Sequence, residues 1–153
     1  MIKSQIRYSW IYSRMLAPEL KIEDFREFVE KSKPFEEKIK KILSKIKKII
    51  EKNHDGKWKY DFIPIYLTPI NKISISDPLT LVYKFHDRYS IVTLCHELLH
   101  NHLSGKKFEN PKILHEFMEP INNKIVLELE KETGLKLSDK LEKFNIKIKE
   151  MYK

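Results

Sequence analysis

Two histidines separated by three residues, His96 and His100, with Glu97 beside the first, are the residues whose types and spacing could do chemistry together. On a helix, positions i and i+4 lie one above the other on one face, so both imidazoles can reach a single metal ion. Zinc suits such a donor pair, and a catalytic zinc takes one more protein ligand and keeps a position for water. A carboxylate next to the first histidine stands where it can take the proton from that water. The string H-E-x-x-H therefore pairs a Lewis acid with a general base, as hydrolysis of a peptide bond requires.

The flanking residues predict the helix this chemistry needs. Ser90 is a candidate N-cap, and Gly105 fits a helix stop. Ile91, Leu94, Cys95, Leu98, Leu99 and Leu103 form one broad apolar stripe, while Thr93, His96, Glu97 and His100 share the other side. The motif is thus expected in mid-helix, pointing away from the core. Cys95 falls on the stripe as a small core residue; as the single cysteine it allows no intramolecular disulfide and no cysteine-based zinc knuckle.

The rest of the chain reads as α+β, a single domain over residues 1–153. Residues 1–20 are rich in aromatic and apolar side chains (Tyr8, Trp10, Ile11, Tyr12, Met15, Leu16) and are expected to pack on the domain, as a short helix before Pro18, or to lie over a groove. Ile22, Phe25, Phe28 and Val29 predict a helix to about residue 31; Pro34 then suits the first turn of a new, long amphipathic helix ending at Asn53-His54-Asp55-Gly56, with His54 a capping or solvent-facing group. Aromatic and β-branched residues from Trp58 to Leu67 predict a strand, placed at a sheet edge or bent by Pro64 and Pro69. Alternation over Ile73–Ser76 and Leu79–Phe85, with a turn at Asp77-Pro78, predicts two more, giving a small antiparallel or mixed sheet that runs into the motif helix. The connecting His86-Asp87-Arg88 reads as loop. Asn110-Pro111 caps a further helix that Pro120 should kink or split, and Ser138 caps the last.

Net charge is +8. The lysines alternate with glutamates instead of forming a basic block, which favours a charged, thermophile-type surface over a nucleic-acid partner. No signal-peptide core or membrane span is visible, so a cytoplasmic protein is expected. Oligomeric state is not encoded legibly.

A third ligand must come from elsewhere. His102 faces another side of the motif helix. On the helix after Pro111, Leu114, Phe117, Met118, Ile121 and Ile125 define the buried stripe. At about 100° per residue Glu116 falls nearly opposite it, and His115 and Glu119 fall near its edge. A kink at Pro120 could rotate Glu116 inward, so all three stand as candidates.

The strand entering a helix with His96-Glu97-Leu98-Leu99-His100, followed by a helix with carboxylates, resembles a zincin metallopeptidase over roughly residues 60–130. The metzincin string H-E-x-x-H-x-x-G-x-x-H is absent, since Leu103 stands in place of the glycine and Lys106 in place of the last histidine. The chain is more similar to the gluzincin branch, in particular the small archaeal minigluzincins. That resemblance implies Zn2+ held by His96, His100 and Glu119, with Glu97 as general base. It also implies Asn123, one turn after Glu119, orienting a zinc histidine from behind, and His115 as a candidate for oxyanion stabilisation. An extended peptide or protein substrate would add as a strand to a sheet edge, with Leu79–Phe85 the candidate strand. Two alternatives stay open: a DNA-associated protease similar to the SprT-like type, which the positive charge favours, and a non-enzymatic zinc-binding module.

Overall fold

The computed structural model describes residues 3–70 and 74–153. Five helices and a four-stranded mixed sheet make up these residues, an α+β architecture. In chain order they are β1 (Lys3–Arg7), α1 (Trp10–Leu16), α2 (Ile22–Asn53), β2 (Phe62–Thr68), β3 (Ile75–Ser76), β4 (Leu79–Val82), α3 (Asp87–His102), α4 (Pro111–Thr133) and α5 (Ser138–Glu150). The sheet order is β1-β2-β4-β3. β2 runs parallel to both β1 and β4, and β3 is the antiparallel edge.

Helical periodicity locates the core. Phe28, Phe35, Ile39, Ile42, Ile46 and Ile50 of α2 are buried against Ile63, Ile65 and Leu67 of β2 and against Ile91, Leu94 and Leu98 of α3 in one continuous cluster. Each fully buried side chain of this kind stabilises by about 1.5–3 kcal/mol. That packing explains why α2 is one helix of 32 residues with Pro34 inside, and not the two helices expected. A proline costs one ladder hydrogen bond, but Phe25 and Phe28 before it and Phe35 and Ile39 after it belong to the same buried face. Pro120 likewise sits inside an unbroken α4, flanked by buried Met118 and Asn122.

The sheet departs from expectation in three places. β1 is polar enough to escape period-2 reading, since only Ile6 in it is buried. β2 is interior and not an edge. Pro64 is tolerated there because β4 pairs with β2 only from Tyr66 onward, so the strand has a neighbour on one side alone at Pro64. β4 stops at Val82, and Phe85 has φ 63°, so the alternation through Phe85 does not continue as strand. β4 is therefore interior, and of the two edges, β1 and β3, it is β3 that packs against α3; Ile73, expected to begin that strand, lies outside the described residues.

The first residues pack away from the motif helix. The Tyr12 hydroxyl is 2.8 Å from Thr80 Oγ1, and its ring lies 5.2 Å from that of Tyr66. The Trp10 ring lies 5.6 Å from that of Phe25, tilted by 50°. No helix among the described residues is long and apolar enough to cross a membrane.

Candidate metal centre

Helix α3 begins at Asp87, four residues before the first residue of the expected stripe, with His86 as its N-cap and Ser90 buried inside it. Asp87 fastens this end: its carboxylate accepts from the Tyr83 hydroxyl and, at 2.7 Å, from Lys38 Nζ of α2. The other end is tied to the sheet. Asn101 Nδ2 donates to Ser76 O of β3 at 2.8 Å, and Lys59 N donates to Asn101 O at 2.9 Å.

The polar side of α3 is not a solvated face. His96 is 4% and Glu97 6% exposed; His115 of α4 and Phe144 of α5 close over His96, and α3 also packs against β3 and β4. His96 Nε2 and His100 Nε2 lie 3.0 Å apart. From α4 the His115 ring stacks on His96, centroids 5.2 Å apart and planes within 12°. One donor atom from each of His96, His100 and His115 lies within 4.8 Å of the others. Three histidines thus converge closely enough to bind one metal ion, and they form the group of this kind among the described residues.

The donor set fits a metal. Burial, and then the neighbouring His100 and His115, hold the His96 pKa well below its ordinary value. Burial and His115 bring His100 down to about 4, and burial lowers His115. All three imidazoles are therefore neutral at pH 7, each with a lone pair to give. Tetrahedral ligands at 2.0–2.1 Å stand about 3.3 Å apart, close to the separation of the first two histidines. His115 Nδ1 is hydrogen-bonded to the Tyr152 hydroxyl, which leaves Nε2 for a metal. Burial pushes the Glu97 carboxyl up to about 8, as for a base kept out of water until a cation or substrate is present.

The other candidates fall elsewhere. The Glu119 carboxylate is 3.3 Å from Lys149 Nζ, outside the histidine group, although it borders a small cavity shared with His96 and His115. Glu116 is exposed. Asn123 accepts from Asn145 Nδ2 of α5 at 2.9 Å and reaches no histidine of the cluster by hydrogen bond. Its neighbour Asn122, 1% exposed, lines the small cavity, and neither of its amide atoms has a partner among the described residues. His54 is buried and not solvent-facing: its Nδ1 lies 3.0 Å from Nδ1 of His102, on the side of α3 away from the cluster. Cys95 is fully buried, its thiol pushed up to about 12 by burial, an inert core residue.

A groove of about 530 Å³ opens onto the cluster. Its floor is the α3 face from Tyr89 through Thr93, His96 and Glu97 to His100; Ser74, Ile75 and Ser76 form one wall, and Phe144, Ile148 and Met151 of the C-terminal region form the other. Among the described residues, none of the aromatic N-terminal segment lines it. Phe144 and Tyr152 were invisible as site residues in the sequence, because only the docking of α5 brings them to His96 and His115.

No family model, curated protein or solved structure matches this chain. Its reading rests on the site itself.

Proposed function

We propose that this chain is a zinc-dependent metallopeptidase of zincin type, with His96, His100 and His115 as ligands and Glu97 as general base. One observation carries the reading. Three neutral histidines and one buried carboxylate meet at the floor of a groove whose wall is a sheet edge. A purely structural zinc site closes its coordination with a fourth protein ligand and needs no carboxylate beside an open groove.

When bound, the zinc supplies Lewis acidity that lowers the pKa of a water and polarises the scissile carbonyl. The chain's own residues do the rest. Glu97 takes a proton from the attacking water and later delivers it to the leaving amine. Burial raises its pKa to about 8, which makes the carboxylate the stronger base for taking that proton. The substrate backbone adds to β3, the edge that packs against α3, in place of the interior β4. Tyr152 holds His115 in one tautomer and orientation. Against the gluzincin pattern, the third ligand is a histidine one turn before the glutamate.

The test is hydrolysis of a broad peptide library by zinc-loaded protein, with Glu97→Gln as the control. The expected outcome is chelator-sensitive cleavage that falls by about 100-fold or more in the variant while zinc is retained. Equal cleavage by the variant, or no cleavage by the zinc-loaded parent, overturns the proposal.

A further inference from the structure

The groove is not electrically neutral along its length. At the end away from His100 it is flanked by two ammonium groups on opposite walls, Lys84 just after β4 and Lys147 on α5, and His86 also lines it. Among the described residues neither lysine has a carboxylate partner. Lys84 Nζ donates to Pro69 O at 2.6 Å, and Lys147 Nζ stands 6.0 Å over the Tyr89 ring. Both side chains are exposed and able to reorient. Asp77, which lines the groove at its other end beside Ser76, is already engaged by Lys59 Nζ at 2.6 Å and by the Tyr60 hydroxyl at 2.9 Å.

Direction follows from the sheet. The Ser76 end of β3 is bonded to Asn101, next to His100, whereas Ser74 Oγ accepts from Val82 N, on the way to Lys84. A chain added antiparallel to β3, the more stable pairing, runs from the Ser76 end to the Ser74 end. Its residues after the cleaved bond therefore head towards Lys84 and Lys147. Seven helical steps lead from Tyr89 to His96, about 10 Å, which an extended chain covers in about three residues.

Resting on the peptidase reading, we infer that the preferred substrate carries an aspartate or glutamate side chain about three residues after the scissile bond, received between Lys84 and Lys147. The lysines are specificity-determining groups that act at a distance from the reacting atoms.

Peptides amidated at the C-terminus, so that no terminal carboxylate supplies the charge, test this with Glu, Gln or Lys at the second to fourth positions after the cleaved bond. The zinc-loaded parent should favour Glu over Lys by about tenfold in kcat/KM, as two exposed charge pairs allow. The preference should vanish or reverse in the Lys84→Glu/Lys147→Glu double variant, and in the parent it should shrink with added salt. Binding of the same peptides to zinc-loaded Glu97→Gln, followed by fluorescence anisotropy, gives a second readout that needs no turnover. Cleavage or binding without acidic preference, or a preference unchanged in the double variant, overturns the inference and leaves the peptidase reading intact. Absence of cleavage by the parent counts against the peptidase reading, and the anisotropy still decides the charge preference.

Discussion

His115→Ala separates the two ligand sets that the sequence and the structure favour. In the structure His115 completes the cluster with His96 and His100, while Glu119 is 3.3 Å from Lys149 Nζ. Structural zinc sites with four protein ligands bind with about 10–16 kcal/mol, or about 2.5–4 kcal/mol per ligand. Losing one ligand should therefore weaken zinc roughly 10²- to 10³-fold. The helix itself should tolerate the change, since alanine favours helix and His115 is only partly buried. Glu119→Gln removes the charge at nearly constant volume. The ion pair it breaks involves side chains 65% and 31% exposed and contributes about 0–1 kcal/mol. Zinc affinity in that variant should stay within about threefold of the parent. Competition with a chromophoric chelator measures both, with circular dichroism to confirm folding. The reasoning is refuted if Glu119→Gln loses zinc and His115→Ala keeps it. Equal large losses in both also refute it, because a fourth protein ligand would fill the position hydrolysis needs.

Two further outcomes follow from the packing around the site. Tyr152→Phe removes the hydrogen bond to His115 Nδ1 and should weaken zinc by about tenfold, the lower end of the effect of such supporting partners, with little change in thermal stability; an unchanged affinity in the same chelator competition would remove Tyr152 from the site. Gly56→Ala would bring a Cβ to 2.5 Å from His102 O and 2.6 Å from the His54 ring, so backbone must shift, and chemical denaturation should report a loss of about 1–3 kcal/mol; a neutral effect would mean that the contact between the ends of α2 and α3 is loose.

Local physics made much of this legible. The spacing His96-x-x-x-His100 and the apolar stripe required a helix with its chemistry on one side, and α3 is that helix. The cap at Asn110 was readable because it satisfies a local backbone need: Asn110 Oδ1 accepts from Ile113 N at 3.0 Å. Helical angles also placed His115 at the edge of the α4 stripe, and it was the spacing of a resembling family that drew weight to Glu119. What stayed hidden depends on contacts distant in sequence. Whether Pro34 and Pro120 break a helix is decided by the core on both sides of them. Ser138 does not cap α5 with its own side chain; the Glu130 carboxylate, from the preceding helix, accepts from Leu137 N and Ser138 N. The central position of β2 depends on β1, whose side chains carry almost no apolar signal. His54 looked like a turn residue until α3 placed His102 against it.

The same distribution explains why the cluster can be buried at all. His96, Glu97 and His100 come from α3, His115 from α4, and Phe144 and Tyr152 from the C-terminal region. No single element carries enough polar chemistry to spoil its own apolar face; α3 keeps Leu94, Leu98 and Leu99 for the core while its other side waits for α4 and α5. Bringing those helices together takes three imidazoles and a carboxyl out of water, which is costly unless they find partners. Two of the histidines meet each other and the third meets Tyr152, so the metal-free chain satisfies them only in part. A cation at their centre would use the lone pairs that burial has already kept free of protons. Affinity for the ion and stability of the closed helices are then one quantity seen from two sides, since whatever binds only the folded chain stabilises it.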